Sequence, residues 1–241
     1  MRYFIHLAYD GTRYHGWQIQ PNGISVEGEI ERCLSTLLRQ SIDIVGAGRT
    51  DAGVHARHMV AHFNVPVPVD VNISYRLNRM LPPDICIHKI DEVADDMHAR
   101  FSAVSRTYHY YITTQDDPFN RHYTWRCHYD LDFPLMNEAA AILTEYKDFA
   151  SFCKSHTDVK TTLCTVTEAR WVQTAEHQWH FRITANRFLR NMVRAVVGTL
   201  VEVGRHRMTL EQFREVIEGK QRTQAGESMP ANALFLEKIE Y

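Results

Sequence analysis

The chain has 241 residues, of which 44% are hydrophobic and 23% are charged. This is the ordinary composition of a folded globular protein and excludes wholesale disorder and fibrous repeats. Lysine and arginine total 27 against 29 acidic residues, a formal net charge of −2. A nucleic-acid partner would therefore require basic residues gathered on one face.

The cysteines and the N-terminal residues indicate in which cellular compartment the protein is expected. The chain has five cysteines, an odd number, without a C-x-x-C pair, which favours reduced thiols over a disulfide scaffold or a zinc ribbon. The N-terminus lacks a signal-peptide pattern, and no uncharged apolar stretch approaches about 18 residues. We therefore expect a cytoplasmic protein that does not enter a membrane.

The first hundred residues predict the order strand, helix, strand, strand, helix, strand. Alternating apolar side chains predict strands at residues 3–9, 42–45, 58–65 and 85–93. Ser25 precedes an apolar stripe with helical spacing, which predicts an N-capped helix. A second helix is predicted at 73–81, where Pro82 and Pro83 end it. This is the order of a ferredoxin-like βαββαβ unit.

The second half of the chain predicts nearly the same order. We expect strands at 104–114, 163–173, 178–185 and 233–241, and helices around 135–143, at 187–203 with Gly204 as C-cap, and from Thr209 with a T-x-x-Q capping box. The predicted fold is α+β with two ferredoxin-like halves, residues 1–100 and 101–241. Their strands would join in one mixed, mainly antiparallel sheet with helices on one face and a concave cleft on the other.

The stretch GAGRTDAGVHA at 46–56 is the most unusual in the chain. Its three glycines permit backbone conformations closed to other residues, and Arg49 and Asp51 lie between them. One interpretation is a tight connection between strands in which Asp51 caps a turn. The other is a functional carboxylate held beside an arginine that favours its ionised form.

Other motifs are weaker. Gly11 and Gly16 have the spacing of a phosphate-binding Walker A loop, but lysine and serine or threonine do not follow. His58 and His62 are four residues apart, a spacing that suits a metal on a helix. On the predicted strand the same spacing separates them by about 13 Å. A metal-dependent hydrolase using these histidines and Asp51 remains a third alternative.

Basic and aromatic residues form two patterns in the second half. Arg187, Arg190 and Arg194 fall at i, i+3 and i+7 of the predicted long helix, either as a solvated face or as phosphate ligands. On the strand RTYHYY, alternation places Tyr108 and Tyr110 on one side together with an arginine. Arginines that hold phosphates and aromatics that stack on bases suit looped RNA, although aromatic strand residues more often belong to a core.

These motifs together resemble one family, the TruA-type tRNA pseudouridine synthases. The resemblance covers nearly the whole chain, in the family's order, and GRTDAGVHA together with FLRNMVR is highly specific. It is carried by YDGTRYHGWQIQP at 9–21, GAGRTDAGVHA at 46–56, HARFSAVSRTYHY at 98–110, ANRFLRNMVRAVVGTLVEVG at 185–204 and the closing LFLEKIEY.

The resemblance implies a function and a set of site residues. The activity would be isomerisation of uridine to pseudouridine in the anticodon stem-loop of tRNA, at positions 38–40, by a homodimer without metal or organic cofactor. Asp51 matches the catalytic aspartate, Tyr108 a substrate-contacting tyrosine and Arg194 the arginine that pairs with the aspartate. Arg49 matches an arginine that helps to hold the RNA, and Leu234 an apolar wall under the base. The first half would carry the aspartate loop and the second would complete the cleft.

The residue types suit that reaction. One ionised carboxylate can attack C1′ of the ribose, or can remove the 2′ proton to leave a glycal, and the sequence does not choose between them. The alternative from another class is an RNA-binding module on the same duplicated fold, in which Asp51 is a structural turn residue. In that module, Asp51→Asn would leave all behaviour intact.

Overall fold

The computed structural model of the protein describes residues 1–154 and 160–241. The strands and helices are β1 Arg2–Tyr9, α1 Val26–Leu38, β2 Val45–Gly46, β3 His55–Asn64, α2 Ile73–Asn78, β4 Ile85–Val93, β5 Ser105–Thr113, β6 Trp125–Arg126, α3 Phe133–Ile142, β7 Val166–Ala175, β8 Gln178–Ala185, α4 Met192–Gly204, α5 Leu210–Gly219 and β9 Leu234–Glu240. They form two compact units, residues 1–104 with 235–241, and residues 105–234. Within the described ranges, we find no helix with the length and hydrophobicity needed to span a membrane.

The first unit has the predicted ferredoxin-like connectivity. β1 lies between β4 and β3, β2 pairs with β3, and all of these pairs are antiparallel. At the other end of β3, His55 and Ala56 pair in parallel with Phe235 and Leu236 of β9. The sequence places this last strand with the second half, and β9 from Phe235 onward belongs to this first unit. The sheet of this unit is therefore mixed but mainly antiparallel.

The helix α1 confirms a local prediction. The Ser25 hydroxyl oxygen accepts a hydrogen bond from the amide of Gly28 at 3.2 Å, which satisfies one of the free amides of the first turn. Val26, Ile30 and Leu34 on one face are fully buried. The capped end and the apolar face thus agree on where the helix lies and which side it buries.

The second unit is built on the antiparallel strands β5, β8 and β7, with β6 parallel to the far end of β5. The helix α3 packs on β7 and α4, and α5 packs beside them. The predicted capping box of α5 is confirmed. The amide of Gln212 donates to the Thr209 hydroxyl at 3.2 Å, and the amide of Thr209 donates to the Gln212 side chain at 2.9 Å.

The strand predicted at 42–45 is wrong in its position, because β2 consists of Val45 and Gly46. The amide of Ile42 donates to the Ser35 hydroxyl at 2.9 Å, and that of Ile44 to the Glu31 carboxylate at 2.8 Å. Side chains of α1 thus accept the hydrogen bonds that these amides would donate to a neighbouring strand.

The long helix predicted at 187–203 is wrong at its start. α4 begins at Met192, so Arg187 and Arg190 precede it and do not share a helical face with Arg194. Asn191 has a left-handed backbone with φ of 67°, and the carbonyl of Arg190 accepts a hydrogen bond from outside the helix. A left-handed residue cannot continue a right-handed helix, so the helix begins after it. Gly204 is the last residue of α4, and the C-cap is the next residue.

His62 is a buried histidine on β3. Its Nδ1 accepts a hydrogen bond from the amide of Ala99 at 3.2 Å, and its ring meets that of His98 edge-on at 4.6 Å. Burial, with smaller effects from the charges of Arg2 and His98, lowers the pKa of His62 from 6.5 to about 4. The folded unit therefore holds this ring neutral where an exposed histidine would be charged.

We expect this histidine to destabilise the fold in acid. As pH falls from 6.5 to about 4, the unfolded chain binds a proton that folded His62 resists, so the free energy of unfolding decreases over that range. His62→Gln should flatten the slope by up to about 1.4 kcal/mol per pH unit. Urea unfolding across this range measures it, with exposed His122→Gln as control. An unchanged slope in His62→Gln would contradict the assignment.

Candidate functional site

Asp51 lies on a tight turn immediately before β3. The amide of Val54 donates to the Asp51 carbonyl at 3.1 Å, and Gly53 has a φ of 78°. A four-residue turn with glycine in the left-handed third position is a type II arrangement. Asp51 is half-buried, and β3 begins at His55. The turn interpretation is thus correct for the backbone, and the turn places Asp51 just ahead of the first residue of β3.

The loop after β1 contacts the backbone that leads into Asp51. Gly16 has a φ of 90°, and a Cβ there would lie 2.2 Å from the Thr50 carbonyl oxygen and 3.1 Å from the Asp51 carbonyl carbon. The amide of Trp17 donates to the same Thr50 carbonyl at 3.3 Å. On the other side, the Thr50 hydroxyl is hydrogen-bonded to the buried Tyr9 hydroxyl at 2.9 Å. Residues on both sides therefore fix the peptide before the carboxylate.

The second half of the turn is held in the same way. A Cβ on Gly11 would lie 2.0 Å from the Val54 carbonyl oxygen, and the amide of Gly53 donates to the Tyr14 carbonyl at 3.3 Å. The spacing of Gly11 and Gly16 that resembles a Walker A loop thus has a different cause. Both glycines let one backbone approach another.

Arg49 is exposed on the same loop as Asp51 and lies near Glu27 of α1. The Glu27 carboxylate accepts from the Trp17 indole at 3.2 Å and from the amide of Ile19 at 2.9 Å. Burial raises the pKa of Glu27 above its ordinary value, and these hydrogen bonds and the charge of Arg49 oppose the rise. Glu27 therefore accepts hydrogen bonds from the loop after β1 and also interacts electrostatically with Arg49.

In the second unit, the two tyrosines of β5 have different environments. Tyr108 lies opposite Ile183 of β8, is half-buried, and meets the ring of Phe188 edge-on at 5.0 Å. Tyr110 is fully buried, and its hydroxyl donates to the Pro230 carbonyl at 3.0 Å. Burial raises the pKa of Tyr110 above its ordinary value. Tyr110 is thus a core residue, while Tyr108 retains exposed surface.

Arg194 lies in the first turn of α4 and is half-buried. Its Nε donates to the Met229 carbonyl at 2.5 Å, and its own carbonyl accepts from the amide of Met229 at 3.2 Å. Its charge opposes the rise in the pKa of Tyr110, so the two side chains are neighbours. Leu234, at the start of β9, is 6% exposed, and the preceding Ala233 is fully buried.

The predicted site residues therefore fall into two groups. Asp51 and Arg49 share one loop of the first unit. Tyr108, Arg194 and Leu234 belong to the second unit.

Sequence reasoning missed the residues that support Asp51. Tyr9 and Gly16 contact the loop, and Glu27 interacts electrostatically with Arg49. Spacing and charge pattern do not indicate this role for Tyr9 or Glu27, and the spacing of Gly16 was compared with a phosphate-binding loop. The available signal was the cluster of glycines and aromatics in YDGTRYHGW at 9–17.

The histidines of the metal alternative have separate partners. His58 Nε2 lies 3.1 Å from Nδ1 of His6, whereas His62 accepts from the amide of Ala99. In residues 1–154 and 160–241, no group of three or more histidine, cysteine or acidic side chains is arranged to hold a metal ion.

Comparison with known proteins identifies close relatives over the full length. A sequence model described as tRNA pseudouridine synthase matches residues 139–241. A protein named tRNA pseudouridine synthase A from Bacteroides fragilis is 57% identical over 100% of this chain and 96% of its own. The proteins of that name from Porphyromonas gingivalis and Bacillus subtilis are 54% and 37% identical, each over 100% of this chain and over 97% and 99% of their own.

Gly16→Ala should destabilise the protein, since the new Cβ would overlap the Thr50 carbonyl at a left-handed position. Backbone strain alone predicts a loss of about 1–3 kcal/mol. Gly48→Ala is the matched control, because its Cβ meets nothing within 4 Å, and it should change stability by less than about 0.5 kcal/mol. Urea unfolding of both variants checks this. Equal effects would show that the close approach is not maintained in solution.

Proposed function

Because the chain belongs to the tRNA pseudouridine synthase A family, we propose that it isomerises uridine to pseudouridine in the anticodon arm of tRNA. The observation that carries the proposal is the match over the full chain at up to 57% identity, together with a half-buried aspartate on a rigid turn in GAGRTDAGVHA. An isomerase of this kind needs one such carboxylate at the ribose.

The reaction breaks the C1′–N1 bond, turns the uracil while it stays bound, and forms a C1′–C5 bond. Asp51 either attacks C1′ and forms a covalent ribosyl intermediate, or removes the 2′ proton to leave a glycal. In both routes C5 loses its proton and N1, released from the ribose, gains one, and in the glycal route C2′ also regains the proton that Asp51 removed. Protons lost and gained are equal and no atom changes its overall oxidation level, so the proposal needs no oxidant, reductant or organic cofactor.

The remaining roles rest on the family resemblance. We propose that Tyr108, whose ring is only half-buried, packs on the extruded base. Arg194 is the proposed partner of the Asp51 carboxylate, since a guanidinium pairs with a carboxylate in a fork geometry. Leu234 would form the apolar wall under the uracil. The exposed Arg49 would contact the RNA backbone.

The target uridine lies in a stacked arm, so it must be turned out before C1′ can be reached. Base flipping costs a few kcal/mol, which contacts to the extruded base and to flanking phosphates offset. With a formal net charge of −2, the chain must supply those phosphate contacts from local groups of arginines and not from its overall charge.

We propose that the enzyme works as a homodimer in the cytoplasm, as the resemblance implies. Analytical ultracentrifugation should then give about twice the chain mass of 28.1 kDa at micromolar concentration. A monomer that retains activity would contradict the dimer while leaving the reaction unaffected.

Asp51→Asn should abolish the reaction, because an amide can neither attack C1′ nor accept the 2′ proton. The measurement is tritium release from tRNA transcripts labelled at C5 of uridine, with tRNA affinity measured in parallel. Exposed Asp43→Asn, on the same unit, is the matched control and should keep wild-type release.

Loss of release with intact tRNA binding supports the synthase. Tight binding without release from the wild type would instead favour the RNA-binding module, in which Asp51 is a structural turn residue.

A further inference from the structure

The segment 225–230 lies along α4 in the second unit and contacts the middle of that helix. A Cβ on Gly198 would lie 1.8 Å from the Glu227 carbonyl oxygen, so the helix and the segment touch through backbone. The amide of Gly226 donates to the Thr199 hydroxyl at 2.9 Å, and the Tyr110 hydroxyl donates to the Pro230 carbonyl at 3.0 Å. Both ends of the segment are thus anchored.

Arg222 binds this segment with one guanidinium group. Its Nη1 donates to the carbonyls of Ala225 at 3.3 Å and Gly226 at 3.0 Å, and its Nη2 donates to the Ser228 hydroxyl at 2.7 Å. The same hydroxyl accepts from the Asn191 side chain at 2.5 Å. A planar guanidinium can satisfy three acceptors at once, which an ammonium on a flexible stem cannot do in the same geometry. Arg222 therefore fixes the path of the segment just before Met229.

The next residue of the segment, Met229, holds Arg194. The Met229 carbonyl accepts a hydrogen bond from Nε of Arg194 at 2.5 Å. The amide of Met229 donates to the carbonyl of the same arginine. A hydrogen bond at Nε fixes the plane of the guanidinium and hence the direction of its two terminal nitrogens. Those nitrogens are the groups that a carboxylate pairs with in a fork geometry.

We propose that Arg222 is a positioning residue for the isomerisation. It acts through Ser228 and the Met229 carbonyl to orient the Arg194 guanidinium, and it does not touch the uridine. This inference rests on the proposed function. It predicts that loss of Arg222 slows the chemical step while tRNA binding is retained, because a displaced guanidinium stabilises the reacting carboxylate less well.

The test is a double-mutant cycle on the full-length protein, with tritium release from C5-labelled tRNA as the assay. Arg222→Ala should lower kcat at least about tenfold, with the KM for tRNA within about twofold of wild type. Arg194→Lys keeps a cation but removes the Nε donor to Met229. In that background, Arg222→Ala should lower kcat by less than about a further twofold, because the hydrogen bond from Arg194 to the Met229 carbonyl is already absent.

Equal fold-losses from Arg222→Ala in both backgrounds would overturn the proposal, and so would a loss confined to KM. If Arg222→Ala does not fold, Ser228→Ala replaces it in the cycle with the same expectation. Arg214→Ala is the matched arginine control, since Arg214 forms an exposed pair with Glu145 at 2.6 Å in the same unit, and its kcat should not change.

Failure of the proposed function is distinguishable from failure of this inference. If the wild type releases no tritium from any tRNA, the isomerase assignment fails. If the wild type is active and the Arg222 variants match it, only the positioning role fails.

Discussion

The close approach of two backbones at Gly16 is the constraint on which the position of the Asp51 loop depends. At this point the loop after β1 touches the peptide between Thr50 and Asp51, with no room for a side chain. The buried hydrogen bond between the Tyr9 and Thr50 hydroxyls holds the opposite side. Loss of either partner would leave a polar group buried without compensation, which costs about 1–3 kcal/mol. The position of the carboxylate is thus set by segments that the chain brings together from far apart in sequence.

The second unit fixes Arg194, for which we propose a role in the reaction, by a similar close approach of two backbones. Gly198 lets the segment 225–230 lie directly on α4, as Gly16 lets one loop lie on another. The difference is in the polar contacts. Tyrosine and threonine hydroxyls hold the Asp51 loop, whereas the fork of Arg222 holds the segment that carries the Met229 carbonyl. In both arrangements one stretch of backbone packs directly on another. Fewer rotatable bonds then separate the supporting segment from the Asp51 or Arg194 side chain than if side chains alone made the contact.

The proposed reaction explains why such rigid supports are useful. The uracil must leave C1′, turn and return by a different atom, so the enzyme must stabilise several arrangements of one substrate without releasing it. Small displacements of a reacting group can cost about a hundredfold in rate. In the proposed reaction, a carboxylate on a fixed turn and a guanidinium fixed at Nε would both limit such displacements.

Local signals in the sequence determined the elements whose hydrogen bonds are local. The strand at 85–93 has the predicted bounds, and the caps at Ser25 and Thr209 form as their spacing indicates. Motifs also identified Asp51 as the residue of interest, because glycines around a charged pair are rare. These features depend on residues within a few positions of one another, so the sequence alone contains them.

Only the tertiary structure decided the features that depend on distant partners. The amides of Ile42 and Ile44 donate to side chains of α1 instead of to a neighbouring strand. β9 pairs with β3 although most of the chain lies between them in sequence. Asn191 takes a left-handed backbone where its side chain meets Ser228, so that α4 begins later than its apolar spacing suggests. In each case, a hydrogen bond to a residue outside the predicted element outweighs a local preference worth only a few tenths of a kcal/mol to about 1 kcal/mol per residue.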